Sequence, residues 1–374
     1  MYDVIVAGLG GMGSAAAYHL ARRGLRVIGF DRFHPPHDRG SSHGQSRIIR
    51  QAYFEDPAYV PLVARAYELW EQLEQDTGRD LLVPTGGLMI GPPDCEIVEG
   101  SVRSAREHNL PYRMLSPEDV ARWFPAFRLE RDEVAVYEDQ AGVLFPEACV
   151  EAHLDLAARH GAELRTGEAV GAWSAEGGGV SVRTGSGEYR ARRLVLTAGP
   201  WMADLAGGGL PLVVERQVNV WLQPVERGEI FGDERMPVFV WHYTDAEAFY
   251  GLPGLHGEGV KVGFHHGGQT GHPDRLSREV APEEVERIRR LVRVRMPLLD
   301  GEQAGTGVCL YTNTPDGHFI IGSHPDAPDV ILAGGFSGHG FKFCPVVGEI
   351  VADLVGDGST RHPIAPFAPA RLLP

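Results

Sequence analysis

Three features of the sequence predict an α/β protein in which a dinucleotide-binding domain is assembled from separate stretches of chain around an inserted sheet domain. The first is a strand, a glycine turn, a helix, a second strand and a terminal acid within about thirty residues of the start. The second is the return of strand, glycine-rich loop and helix near the C-terminus. The third is a central run of short alternating segments rich in Val, Phe, Trp and Tyr.

Residues Asp3 to Ala7 read as a short buried strand, and Gly8-Leu9-Gly10-Gly11-Met12-Gly13 opens a helix that runs to Arg23 and is capped by Gly24. Arg26 to Phe30 reads as the next strand, ending at Asp31. In this context Gly8 permits a tight turn, Gly10 lets the backbone approach a pyrophosphate, Gly13 allows close helix packing and Asp31 accepts from ribose hydroxyls. Asp56 to Gln75 is helical in pattern, Leu82 to Ile90 has strand character around Gly86-Gly87, and a helix from Pro146 to His160 leads into the strand Ala162 to Thr166. Val180 to Thr197 reads as a hairpin turning at Gly185-Ser186-Gly187, and the small turn Ala198-Gly199-Pro200 after it is a place for a cofactor backbone to pass.

Gln217 to Phe264 carries the pattern of an antiparallel sheet, followed by an amphipathic helix, Ala281 to Val294. Val330 to Ala333, the loop Gly334 to Gly340 and a helix from Cys344 to Leu354 repeat the nucleotide-binding pattern. These segments divide the chain into a nucleotide domain of residues 1–82, 142–212 and 306–374 and a substrate domain of residues 83–141 and 213–305.

With 374 residues the chain has room for about two domains. Its 35 basic and 50 acidic residues give a formal net charge of −15, which argues against nucleic acid as a partner. The opening Met1-Tyr2-Asp3 lacks a cationic leader, and the apolar stretch Val4 to Ala17 is too short to span a bilayer, so no membrane partner and a cytoplasmic location are expected. Cys95, Cys149, Cys309 and Cys344 lie far apart without CxxC spacing, so neither a disulfide framework nor a metal site is indicated.

Among the 35 basic residues only Lys261 and Lys342 are lysine. Arginine serves as well as lysine for a solvated charge, but a compact ammonium with a tunable pKa needs lysine, so both are candidates for chemistry. On a strand Lys261 shares a face with Gly263 and His265. Lys342 lies in Gly338-His339-Gly340-Phe341-Lys342-Phe343, a loop feeding a helix N-terminus where anions are welcome. Arg47 and Arg50 stand three apart behind the polar run Gly40 to Gly44, and their guanidinium groups suit a substrate carboxylate or the electron-rich edge of a reduced flavin.

The motifs GLGGMGSAAAYHLARRG, SSHGQSRIIRQAY, VKVGFHH, VCLYTNTPDGHFIIG and AGGFSGHGFKF, in that order over about residues 2–355, together resemble the monomeric sarcosine oxidase family, flavoenzymes that oxidise N-methyl amino acids. The resemblance implies a monomer with a glutathione-reductase-like FAD-binding Rossmann domain, an inserted mixed-sheet substrate domain, a small amino acid substrate and oxygen as acceptor. It implies FAD contacts from Gly8, Gly10, Gly11, Met12, Gly13, Asp31, Ser42, Ser46, Gly199, Gly338 and Gly340, and a covalent tether through Cys309, with Cys344 as the rival thiol. It further implies that Lys261 assists oxygen reduction beside flavin N5 and that Arg47 lies near the ring. Arg50 and Lys342 would clamp the substrate carboxylate, with Tyr250, His265, Tyr311 and His339 lining the pocket.

Within that resemblance sarcosine is the expected substrate, giving glycine, formaldehyde and hydrogen peroxide; N-methyltryptophan and pipecolate oxidases are the nearest alternatives. The bulk of Trp241, in the segment expected to separate small from large substrates, favours a small one. A nicotinamide-dependent dehydrogenase would account for the glycine fingerprint and Asp31 but leaves Cys309 and GHGFKF unused. A flavin-bearing subunit or redox sensor would keep the fold without turnover.

Overall fold

The computed structural model describes residues 1–372 apart from 176, 208, 245, 246 and 256. Two eight-stranded sheets organise it. In the first, Tyr2–Ala7 lies between Val27–Asp31 and the end of Gly187–Leu196, all parallel, with Glu163–Thr166 beyond the one and Ala327–Gly334 beyond the other. Strand alternation sorts the apolar residues: Val4 and Val6 join the helices Gly11–Arg22, Val60–Thr77, Pro146–Arg159 and Cys344–Asp357 in one core, while Ile5 and Ala7 join Phe30, Leu196 and Met202 on the other face. Val180–Thr184 and Gly187–Leu196 form a hairpin around 185–186.

The second sheet runs in the order Gln303–Asn313, Val213–Leu222, Val260–His265, Glu247–Leu252, Val238–Thr244, Gly87–Gly91, Val134–Glu138, Arg113–Leu115. It is mixed, because Val238–Thr244 pairs parallel with Gly87–Gly91 while the other pairs are antiparallel. Val220, Val262, Phe249 and Phe264 on one face pack with Val285, Ile288 and Leu291 of the helix Pro282–Arg295. The opposite face presents Val240, Tyr250, Leu252, Lys261, His265, Cys309 and Tyr311 to a cavity. Trp241 therefore points away from the cavity, into the Pro282–Arg295 core, where it is fully buried and its indole N–H donates to Glu133 at 2.9 Å. The size argument built on it is corrected by period-two alternation: its neighbour Val240 takes the cavity side.

The chain departs from the expectation at further points. Leu82 to Ile90 is two strands, Leu82–Pro84 in a small three-stranded sheet and Gly87–Gly91 in the large one, separated where Gly86 takes φ +72°. The strand Gln303–Asn313 crosses the domain boundary expected at 306 and pairs along its length with Val213–Leu222. The helices Glu96–Glu107 and Pro117–Trp123 were not expected; the second begins at a capping box between Ser116 and Asp119. Among the described residues no helix is long and apolar enough to cross a membrane.

Candidate active site

A cavity of about 450 Å³ lies between the C-terminal ends of the parallel strands and the inner face of the second sheet. Every residue expected at the site lines it except Gly13, which packs beneath the glycine turn. At one end the Asp31 carboxylate accepts from the backbone N–H of Leu9 and of Phe33, each at 2.8 Å, and lies 3.4 Å from His37, which fastens the glycine turn to the end of the second strand. The N–H of Gly11, at the helix N-terminus, donates to Ser42 Oγ at 2.9 Å, so the polar run at 40–46 folds over the start of that helix.

At the other end the cavity is lined by four basic side chains, of which Arg50, Lys261 and Lys342 are buried and Arg47 is half-buried. Arg47 donates to the carbonyls of Ser46 and Ser41, both at 2.8 Å, and its Nη2 stands 3.3 Å from Cys309 Sγ. Lys261, 1% exposed, donates to the carbonyls of Gly44 at 2.8 Å and Ser46 at 2.9 Å. Burial, reinforced by Arg47, holds its pKa well below the ordinary lysine range. The loop that offers these carbonyls is tied on its other side by Glu147, whose carboxylate accepts from the N–H of Gly44 at 2.7 Å and of Gln45 at 3.1 Å.

Arg50 is paired with Glu55, with Nη2 at 2.7 and 2.6 Å from the two carboxylate oxygens. Burial would raise the Glu55 pKa, but Arg50 and then His339 outweigh it and hold the acid at about 2, as a carboxylate. Lys342 donates to the carbonyl of His339 at 2.8 Å and to Tyr53 Oη at 3.4 Å; burial, then repulsion from Arg50, lowers it to about 7 against the pull of Glu55. His339 has both ring nitrogens engaged, one with Tyr53 Oη at 2.6 Å and one with the Gly317 carbonyl at 3.1 Å, and burial brings it down to about 4. His265, half-buried and held well below the usual histidine range by desolvation, lies 3.5 Å from the Tyr311 hydroxyl. Tyr250 donates to Asn219 at 2.5 Å and is pushed up to about 12 by burial.

Glu55, Tyr53, Ser41 and Glu147 escaped the sequence reading. Glu55 is an acid five residues after Arg50, a signal that was available; Glu147 meets the 44–45 backbone, and Tyr53 meets Lys342, only through contacts between distant segments. The two thiols differ in surroundings. Cys309 Sγ faces Arg47, whereas Cys344 is raised by burial and packs so closely on the first helix that a Cβ at Gly11 would come within 2.6 Å of its Sγ.

The cavity suits a dinucleotide cofactor. Gly10 lines it, and a Cβ there would meet only Ser42 Oγ, at 3.4 Å, so the protein itself leaves that position open. At Gly13 a Cβ would overlap the Gly8 carbonyl oxygen, so that glycine is demanded by packing.

Residues 3–354 match the FAD dependent oxidoreductase family. The chain is similar to a monomeric sarcosine oxidase of Streptomyces avermitilis, 48% identical over 99% of this chain and 98% of that protein. It is also similar to an N-methyl-L-tryptophan oxidase of Escherichia coli K12, 34% identical over 99% of each chain. Among solved structures it resembles NikD, described as an unusual amino acid oxidase, with a TM-score of 0.85, 27% identity and coverage of 98% and 97%.

The two glycines separate under substitution. Gly13→Ala should destabilise the fold by about 1–3 kcal/mol. Gly10→Ala should leave stability within about 0.5 kcal/mol while lowering flavin content. Denaturant melts alongside the flavin-to-protein absorbance ratio check both, and a Gly10→Ala protein with full flavin would contradict the cradle.

Proposed function

The chain belongs to the FAD dependent oxidoreductase family, and we propose that within it the protein is an oxidase of small N-methyl amino acids, with sarcosine as preferred substrate. The observation that carries this reading is the placement of Arg50 and Lys342 side by side on the cavity wall, each within about 5 Å of the same Tyr53 ring. Two adjacent cations suit a single carboxylate. Arg50 would then be shared between that carboxylate and Glu55, which engages it through Nη2.

A carboxylate fixed at that wall orients the small substrate's N-methyl group along the cavity, and the chain's contribution to rate is largely this orientation. The Arg47 and Arg50 guanidinium groups disfavour an ammonium on the substrate and so hold its amine neutral, the form from which electrons leave. Bound FAD supplies the two-electron oxidation of the C–N bond and the passage of that pair to dioxygen. Lys261 is placed to take up a proton as negative charge develops beside it, and Arg47 supports anionic charge at the same end. Tyr250, His265 and Tyr311 shape the wall around the substrate. For sarcosine the balance is one dioxygen and one water consumed, with glycine, formaldehyde and hydrogen peroxide released. The protein would act as a cytoplasmic monomer on a small molecule.

Cys309 is the proposed tether. Its Sγ lines the cavity 3.3 Å from the Arg47 guanidinium, on the wall that a bound flavin would face.

Peroxide and formaldehyde release should be equimolar with sarcosine, and sarcosine should have the highest kcat/KM in a panel including N-methyltryptophan, pipecolate and proline. Absence of peroxide with every member would overturn the oxidase reading, and a preference for N-methyltryptophan would shift its substrate class.

Acid precipitation should leave flavin on the wild-type and Cys344→Ser proteins and free it from Cys309→Ser. Release from Cys344→Ser in place of Cys309→Ser would move the tether.

A further inference from the structure

Tyr53 is fully buried and does not line the cavity, yet it touches three residues that do. The Arg50 guanidinium lies 4.2 Å from its ring centroid and Lys342 Nζ lies 5.2 Å from it, so one π system faces both cations. The hydroxyl makes a directional chain. The Gly317 carbonyl can only accept, so His339 Nε2 carries the proton in the bond between them. The neutral ring then offers the Nδ1 lone pair to the Tyr53 O–H, 2.6 Å away, with the His339 carbonyl as a second acceptor for the same hydroxyl at 3.1 Å. The phenolic oxygen is left to accept from Lys342 Nζ at 3.4 Å.

The tyrosine is itself immobilised. Its ring packs against Tyr59 at 4.8 Å and Phe343 at 5.3 Å between centroids, and its carbonyl accepts from Ser104 Oγ at 2.5 Å. Arg50 has further support from Glu55 and from Phe54, 4.1 Å away. Lys342 has less, with the Phe343 ring 5.7 Å off and one carbonyl.

We propose that Tyr53 is the positioning residue of the carboxylate clamp, its ring seating both cations and its hydroxyl, held by His339, aiming the Lys342 ammonium. This rests on the reading of Arg50 and Lys342 as the clamp. Because Arg50 has other supports, the hydroxyl's effect falls mainly on Lys342.

The test compares propionate with propionamide, which share shape and differ in charge, binding to purified holoenzyme by calorimetry without turnover. Wild type should prefer propionate. Tyr53→Phe, which keeps ring and packing, should weaken propionate roughly tenfold and leave propionamide within about twofold. Tyr53→Leu, if it folds, should weaken propionate further, again with little change for the amide. Equal losses for both ligands in Tyr53→Phe would mark a merely structural tyrosine, and unchanged propionate affinity would remove the role altogether; either overturns the proposal. A wild type that binds the two ligands equally overturns the clamp and Tyr53's part in it. Failure to oxidise N-methyl amino acids while the charge preference persists would count against the proposed reaction alone, and the Tyr53→Phe comparison would still decide the positioning role.

Discussion

The cost of burying positive charge organises the site. Arg50, Lys261 and Lys342 lie out of solvent and Arg47 is half-buried on one cavity, and burial of an unpaired cation is expensive unless dipoles or anions answer it. Among the described residues only Arg50 of the four has a carboxylate in direct contact. The others rest on main-chain carbonyls, of Ser41 and Ser46 for Arg47, Gly44 and Ser46 for Lys261, and His339 for Lys342. Carbonyl dipoles answer part of each charge and leave the cavity short of negative charge, which a substrate carboxylate and reduced oxygen then bring.

That arrangement dictates the backbone. A loop that turns several carbonyls inward must take an irregular path, and Gly44 and Gln45 have φ of +95° and +67°. Their N–H groups point the other way, to Glu147, which anchors the loop from the helix Pro146–Arg159. The second sheet contributes through its pleat: alternate residues of Val260–His265 and Gln303–Asn313 bring Lys261, His265, Cys309 and Tyr311 to the same side, leaving Val262 and Phe264 to the layer behind.

The glycine fingerprint was legible because its spacing states its own geometry, and Lys261 and Lys342 because lysine is rare in this chain. The strands of the central sheet showed in their alternation. What stayed hidden were contacts between segments far apart in sequence: Glu147 beneath the 40–46 loop, Tyr53 behind Lys342, and the course of Gln303–Asn313 across from Val213–Leu222. Trp241 misled because a large aromatic reads alike on either face of a strand, and a one-residue difference in phase decides between pocket and core.

The site lacks a negative charge that its ligand supplies, and the pH dependence of carboxylate binding measures that deficit. In the free site Lys342 titrates at about 7, lowered by burial and by Arg50, while a bound carboxylate favours its ammonium. Below that pH the ammonium is already present and the Kd of propionate should be flat. Above it, binding must take up a proton, so Kd should rise about tenfold per pH unit until the bound form itself begins to titrate. A Kd that stays level from pH 6 to about 9, or that tightens as pH rises, would contradict the claim.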